Sequence, residues 1–123
     1  MSEPFCVLYN PSCSKCRTVR QTLTERGVEA VYVEYLEAVP SRAELEAIVR
    51  KLGIASPRGM MRTSEPVYQE LGLADADDER LYAAMLAHPI LVERPIVIVG
   101  ERAVIARPAD KVRELLDGVT PRP

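Results

Sequence analysis

Two strand-like runs with a helical pattern between them occupy the first part of the chain and constrain its fold most. Residues 5–9 (FCVLY) are apolar throughout, and residues 31–35 (VYVEY) are rich in β-branched and aromatic side chains. Asn10-Pro11-Ser12 breaks the first run, and a helical pattern then extends from near Cys13 to about Arg26, where Gly27 is placed to end it. A helical crossover joins parallel strands with a right-handed connection, so the sequence predicts a β-α-β unit.

The middle of the chain is predicted to be helical. Ser41 and Glu44 form a capping-box pattern before a helix that ends at Gly53. Short helices are predicted over residues 57–61 and 66–71, with Ser64 as a cap and Gly72 as a stop for the second. A further helix over residues 78–87 is predicted to bury four side chains and to end at His88-Pro89. These four are Leu81, Tyr82, Met85 and Leu86.

A β-hairpin and a last helix are predicted to complete the chain. Residues 96–99 (IVIV) and 103–106 flank a tight turn at 100–102, and Pro108 opens a helix that buries Val112, Leu115 and Leu116. The order β-α-β, helices, β-β-α is that of the thioredoxin fold, an α/β class, with a helical insertion. We expect residues 1–118 to form a single thioredoxin-like domain and residues 119–123 to form a flexible tail.

Composition and charge narrow the partners. The 123 residues carry a formal net charge of -2 and are 47% hydrophobic, which is typical of a globular domain and does not favour nucleic acid as a partner. No apolar run approaches the roughly 20 residues that span a bilayer, and no secretory signal is evident, so we expect no membrane association and a cytoplasmic protein. His88 is the only histidine and there is one Cys-x-x-Cys pair, which argues against a metal site.

Cys13 and Cys16 carry the predicted chemistry. Cys13 lies where a strand becomes a helix, so the free N–H groups of the helix should stabilise its thiolate and lower its pKa. The preceding loop sequence predicts that Cys13 is exposed. Cys16 follows by one helical turn and can either reach a mixed disulfide on Cys13 or simply fill the core. Cys6 lies inside a strand and is interpreted as a core residue.

Basic residues near the predicted helix N-terminus suggest an anion site. Lys15 lies in the first turn of the helix, next to Ser14 and the free N–H groups that can hold an oxyanion. Arg94 and Arg107 each precede a proline at an element boundary, and we expect the Arg94-Pro95 bond to be cis. Arginine offers planar donors that match a tetrahedral oxyanion, whereas an isolated arginine is usually a solvated charge.

Several short motifs in one order resemble the glutaredoxin-coupled arsenate reductase family over nearly the whole chain. They are Tyr9-Asn10-Pro11-Ser12-Cys13, Glu34-Tyr35-Leu36-Glu37, Met60-Met61-Arg62, Glu65-Pro66, Glu70-Leu71-Gly72-Leu73, His88-Pro89-Ile90-Leu91, Arg94-Pro95-Ile96-Val97 and Arg107-Pro108. The resemblance implies that Cys13 is the nucleophile and that Arg62, Arg94 and Arg107 bind the anion, with Ser14 and Lys15 beside it. It further implies arsenate as substrate and glutathione with glutaredoxin as reductant, and we expect a monomeric enzyme without a bound cofactor. Cys16 also allows a second route, in which it resolves the Cys13 adduct as an internal disulfide that thioredoxin or glutaredoxin then reduces.

Two positions depart from the family pattern and leave alternatives open. Tyr9 stands where characterised members often have histidine, and Cys16 stands where they commonly have serine. One alternative is a related thiol-disulfide oxidoreductase that does not act on arsenate. The other is a regulator similar to the Spx-like proteins, which sense oxidation through Cys-x-x-Cys and bind RNA polymerase. A disulfide substrate needs no three-arginine clamp, so arsenate reduction is the leading hypothesis.

Overall fold

The structure, a computed structural model, describes residues 4–116, and the predicted tail at 119–123 lies outside them. Backbone contacts divide these residues into two compact units. The first unit contains residues 4–34 together with 94–116, and the second runs from Tyr35 to Glu93. The first unit holds all four strands of the described part, and the second is helical.

A four-stranded mixed sheet organises the first unit. Strands β1 (Phe5–Tyr9), β2 (Ala30–Glu34), β3 (Ile96–Val99) and β4 (Arg102–Ile105) lie in the order β2-β1-β3-β4. β1 pairs in parallel with β2, and both β3 with β1 and β4 with β3 are antiparallel. The predicted β-α-β unit and hairpin are therefore confirmed, and the topology is thioredoxin-like.

Helix α1 (Ser14–Glu25) covers the sheet of the first unit through Cys16, Val19 and Leu23, which are fully buried. A 3₁₀ turn (Ala109–Val112) and the short helix α5 (Arg113–Leu116) bury the three side chains predicted for the last helix. These side chains pack with those of β1 and β3 into one apolar core that includes Cys13. Burial of this apolar stripe, rather than helix propensity, holds α1 against the sheet.

The second unit contains three α-helices and several 3₁₀ turns. They are α2 (Arg42–Leu52), α3 (Pro66–Glu70) and α4 (Asp78–Ala87). The capping box at α2 is confirmed, because the Ser41 hydroxyl accepts from the Glu44 N–H and the Glu44 carboxylate accepts from the Ser41 N–H. The α4 bounds agree with the prediction, and Tyr82 is buried as expected, whereas Leu86 is exposed.

The other differences are small and have local causes. β2 begins and ends one residue earlier than predicted, because the five residues of β1 pair with Ala30–Glu34. Tyr35 leaves the strand and donates its phenolic hydrogen to the Val92 carbonyl at 3.3 Å. The Ser64 cap is wrong: Glu65 precedes α3 and makes no side-chain cap. β4 is likewise displaced by one residue, because Val99 pairs with Arg102 across the turn.

Candidate active site

A short loop presents Cys13 at the start of α1. The Ser12 N–H donates to Asn10 Oδ1 at 2.9 Å, and the Cys13 N–H donates to the Asn10 carbonyl at 2.9 Å. Arg17, one turn into α1, donates from Nη1 to the Pro11 carbonyl at 2.9 Å. Three hydrogen bonds thus fix the loop against its own helix and set the position of the cysteine backbone.

Cys13 occupies the N-cap position of α1, and its relative exposure is 9%. The prediction that it is openly exposed is therefore wrong. The loop sequence is polar, but the Cys13 side chain turns inward and packs with Tyr9 and Cys16 in the core of the unit. Most of the Cys13 residue is therefore shielded from water, while a small part of it stays exposed.

Burial raises the pKa of the Cys13 thiol, but hydrogen bonds outweigh this effect and the net pKa is lowered. The thiolate accepts from the backbone N–H of Cys16, from the Cys16 thiol and from the backbone N–H of Lys15, and the Arg94 charge adds a favourable interaction. The free N–H groups of the helix N-terminus therefore act on this sulfur as predicted.

Cys16 has the opposite electrostatic character. It is completely buried, and this burial raises the pKa of its thiol well above the usual range. The Asn10 N–H partly offsets the effect of burial, whereas the hydrogen bond to Cys13 and the negative charge there raise the pKa further. In the reduced protein, Cys13 consequently loses its proton at a lower pH than Cys16 does.

Arg94 lies in the first unit close enough to both sulfurs for its charge to lower the pKa of each thiol. The Arg94-Pro95 peptide bond is cis, as predicted. The Nε and Nη1 atoms of the Arg94 side chain are buried and have no hydrogen-bond partner among the described residues. Unpaired buried donors on a cation are costly, so their presence beside a thiolate indicates a place for an anionic ligand.

Arg107 lies in the same unit, and its Nη1 donates to the Arg94 carbonyl at 3.1 Å. The Arg107-Pro108 bond is also cis, and this was not predicted. Ser14 is exposed at the first position of α1, and Lys15 follows it half-buried. The structure therefore brings Cys13, Cys16, Arg94 and Lys15 into one neighbourhood and connects Arg107 to it through the backbone.

Arg62 belongs to the second unit, where its Nη2 lies 3.0 Å from a Glu65 carboxylate oxygen. Its backbone N–H donates to the Leu91 carbonyl at 2.7 Å, beside the isolated bridge between Met61 and Val92. Both members of the ion pair are mostly buried. The Arg62 guanidinium is thus held in an ion pair with Glu65, and its role in anion binding stays a prediction.

Arg58 is an arginine that the sequence analysis did not single out. It donates to the Tyr68 hydroxyl and, at 2.8 Å each, to the carbonyls of Leu73 and Ala76. These partners lie 10 to 18 residues away along the chain, so sequence spacing alone carries no signal for them. Arg58 has a structural role in the second unit.

A second cluster missed by the sequence analysis surrounds Tyr9, the residue before the cysteine loop. The Tyr9 and Tyr32 rings meet edge-to-face with centroids 5.3 Å apart, and the Arg20 guanidinium lies 4.4 Å from the Tyr32 centroid. The cluster ties the end of β1 to β2 and to α1. The strand register creates the cluster, because Tyr9 pairs with Glu34 and Tyr32 is two residues from that partner, and the sequence carries no signal for this register.

Two further observations concern metal sites and membrane-spanning helices. Within residues 4–116, no three His, Cys, Asp or Glu side chains are arranged so that they could hold a metal ion. Across the same residues, no helix is both long and apolar enough to cross a bilayer.

The ArsC family model matches residues 8–115, which include the whole cysteine loop and all three predicted anion-binding arginines. The chain belongs to the ArsC family. The match includes residues of both compact units, so family membership rests on far more than the Cys-x-x-Cys segment.

Three similar proteins illustrate the range of the family. An arsenate reductase of Neisseria meningitidis is 43% identical over 112 residues, which are 89% of this chain and 96% of the relative. The uncharacterized protein YfgD of Escherichia coli is 41% identical over 118 residues, which are 94% of this chain and 99% of the relative. A solved arsenate reductase structure from Vibrio cholerae superposes with a TM-score of 0.88 at 38% identity, covering 93% of this chain and 98% of that one.

Proposed function

We propose that this ArsC-family protein is an arsenate reductase that uses the Cys13 thiolate as its nucleophile. The observation that carries the proposal is the pairing of a thiol of lowered pKa with the unpartnered, buried donors of Arg94. A lowered thiol pKa increases the fraction of reactive thiolate at a given pH, and the unpaired donors of a buried cation suit a negatively charged oxyanion as substrate. Proteins named arsenate reductase that are 43% and 38% identical to this chain support arsenate as the substrate.

In the proposed first step, the Cys13 sulfur attacks arsenic(V) and a sulfur–arsenic bond forms. One arsenic–oxygen bond breaks, and the oxygen leaves as hydroxide, or as water once it is protonated. Arg94, with Arg62 and Arg107 as implied by the family resemblance, neutralises the oxygens while charge accumulates on them. Ser14 and Lys15 contribute the helix N-terminus on the side of the nucleophile.

Release of arsenite then needs electrons from thiols, because arsenic(V) accepts two electrons when it becomes arsenic(III). Glutathione with glutaredoxin can deliver them to Cys13 from outside, as the family resemblance implies. Alternatively, Cys16 can supply the second thiol from inside the protein, and thioredoxin or glutaredoxin would then reduce the resulting disulfide. In either case the protein needs no bound cofactor and can work as a monomer in a thiol-rich compartment such as the cytoplasm.

The test is arsenate-dependent oxidation of NADPH with glutathione, glutaredoxin and glutathione reductase, repeated with thioredoxin and its reductase. Wild type should turn over with at least one reductant, and Cys13→Ser should lose all turnover. Cys6→Ser is the matched control, because Cys6 is a half-buried cysteine on β1 outside the helix N-terminus, and it should retain activity. Absence of arsenate-dependent turnover with both reductant systems would contradict the proposal.

A second candidate is a thiol-disulfide oxidoreductase that does not act on arsenate. It is favoured by the hydrogen bond between Cys13 and Cys16 and by the opposite pKa shifts of the two thiols, which suit disulfide exchange. Reduction of a small mixed disulfide of glutathione, with no arsenate-dependent turnover, would favour this candidate. The unpartnered donors of Arg94 favour the oxyanion substrate instead.

A further inference from the structure

The second cysteine is more than a filler of the α1 face. Cys16 lies one helical turn after the N-cap residue Cys13, and both side chains pack in the same buried cluster before any substrate arrives. The Cys16 thiol is also one of the groups that lower the pKa of Cys13. Cys16 has no exposed surface, whereas Cys13 retains a 9% opening. An adduct can therefore form only on Cys13, and the nearest thiol to that adduct is inside the protein.

We propose that Cys16 is the resolving thiol of the reaction: it attacks the Cys13–arsenic adduct, expels arsenite and closes an internal disulfide. The partner that restores the enzyme is then a protein dithiol, rather than glutathione acting alone. This inference rests on the proposed arsenate reduction and selects one of its two routes to arsenite.

The resolving step balances without an additional reductant. The Cys16 sulfur forms a bond to the Cys13 sulfur, and the sulfur–arsenic bond breaks with its electron pair staying on arsenic. Arsenic(V) becomes arsenic(III), the two thiols become one disulfide, and the proton of the Cys16 thiol leaves with the arsenite oxygen. Because Cys13 and Cys16 supply both electrons, one arsenite can be released before any external thiol takes part.

Formation of the Cys13–arsenic adduct changes the groups that set the pKa of the Cys16 thiol. Before substrate attack, burial raises the pKa of the Cys16 thiol most, and the hydrogen bond to Cys13 and the negative charge there raise it further. The two contributions from Cys13 depend on its free thiolate. Once the Cys13 sulfur is bonded to arsenic, both of these influences on Cys16 disappear. The Asn10 N–H and the Arg94 charge remain, and both stabilise a Cys16 thiolate. Burial still raises the pKa of Cys16, but consumption of the Cys13 thiolate removes the other two causes and so favours deprotonation of Cys16.

The same two groups determine how the disulfide is reopened. Cys13 keeps some exposure whereas Cys16 has none, so a reductant thiol attacks at Cys13 and Cys16 is the leaving thiolate. The Asn10 N–H and Arg94 stabilise that leaving group. A dithiol reductant completes the exchange by an intramolecular second attack. Glutathione must instead use a second molecule to resolve its mixed disulfide on Cys13.

A single-turnover measurement tests this assignment. The fully reduced protein is mixed anaerobically with stoichiometric arsenate in the absence of any other thiol, and then quenched with an alkylating reagent. Released arsenite is measured by chromatography, and the cysteine-containing peptides are identified by mass spectrometry. Wild type should release about one arsenite per chain and contain a disulfide between Cys13 and Cys16, with Cys6 alkylated, as the two-electron stoichiometry requires.

Cys16→Ser should lose this thiol-independent arsenite release, while Cys6→Ser should retain it. The serine variant should regain arsenite production when glutathione and glutaredoxin are added, which also shows that it is folded. Thioredoxin with its reductase should sustain repeated turnover of wild type but not of Cys16→Ser. If the serine variant proves unstable, the peptide map and arsenite yield of wild type still decide the question.

The two proposals fail in distinguishable ways. Arsenite from wild type only after glutathione is added, together with a glutathione adduct on Cys13 and no disulfide, would overturn the role of Cys16 but leave arsenate reduction intact. Absence of arsenite under every condition, including glutathione with glutaredoxin, would overturn both proposals.

Discussion

Replacement of Arg94 by methionine is expected to stabilise the fold while it weakens the reaction. Two donors of Arg94 are buried without a partner among the described residues. Such an unsatisfied polar group costs about 1–3 kcal/mol. Methionine has a similar length, is unbranched and carries no donor, so it removes the unsatisfied group with little change in packing. We expect the free energy of unfolding to increase by about 1–3 kcal/mol.

The expected loss of activity follows from the hydrogen bonds that the guanidinium would give to an oxyanion. A hydrogen bond to a charged group contributes about 1.5–3 kcal/mol. If that interaction stabilises the transition state, kcat/KM for arsenate should fall about 10-fold to 150-fold. The pKa of Cys13 should also rise, because Arg94 is one of the groups that lower it.

Arg58→Met is the matched control, because Arg58 is also half-buried but both of its Nη atoms donate hydrogen bonds. Its guanidinium holds the Tyr68 hydroxyl and the carbonyls of Leu73 and Ala76. Removal leaves those acceptors without their donor, so the free energy of unfolding should decrease by at least about 2 kcal/mol. The two arginine-to-methionine changes should therefore shift stability in opposite directions.

Urea and thermal unfolding in a buffer free of phosphate and sulfate measure both effects. For a domain of this size, each kcal/mol corresponds to roughly 3–6 °C in Tm. Addition of arsenate should raise the Tm of wild type and should have a smaller effect on Arg94→Met. A lower Tm for Arg94→Met than for wild type in the anion-free buffer would refute the reasoning, because it would mean that the Arg94 donors are satisfied.

Three smaller predictions concern the thiol pair and the packing around it. The rate of Cys13 alkylation should rise with pH around a midpoint below the ordinary thiol pKa of 9.0. Cys16→Ala should raise that midpoint, because it removes the Cys16 thiol as a donor to the Cys13 thiolate; an unchanged midpoint would contradict this hydrogen bond. Ser41→Ala should lower the free energy of unfolding by about 0.5–2 kcal/mol in urea unfolding without changing kcat/KM, and a change in kcat/KM would contradict a purely structural role for this cap. Arg20→Ala should cost about 0.5–1 kcal/mol through its lost contact with the Tyr32 ring, and an identical Tm would show that the contact is not stabilising.

The elements that the sequence predicted best have both ends marked by local chemistry. α2 begins at the Ser41 capping box and is followed by Gly53 at a φ of 71°, and both signals are readable from residue type. The predictions at β2 and β4 were each off by one residue, because strand bounds depend on the pairing partner and not on the strand itself. Composition alone cannot show which residue a neighbouring strand will face.

In the candidate site, residue types were predictable but their environments were not. The position of Cys13 at a helix N-terminus follows from the break before it and from the helical pattern after it. Its burial does not, because it depends on packing with Cys16 and residues distant in sequence. Two Arg94 donors lack a partner whereas both Nη atoms of Arg58 have one, and the sequence cannot show this difference. It depends on which carbonyls the fold brings near each guanidinium.

The position of Cys13 explains how nucleophile and anion site can share one helix end. Serine, threonine, aspartate and asparagine are favoured at an N-cap because their oxygens satisfy the free N–H groups. Cys13 makes no side-chain cap, and α1 has no acidic residue in its first turn, so those N–H groups stay available for the thiolate. Cys16 then lies one turn later on the face that the helix must bury, in contact with the first sulfur. The three-residue spacing thus leaves Cys13 slightly exposed and Cys16 fully buried, and the pKa values of the two thiols are shifted in opposite directions.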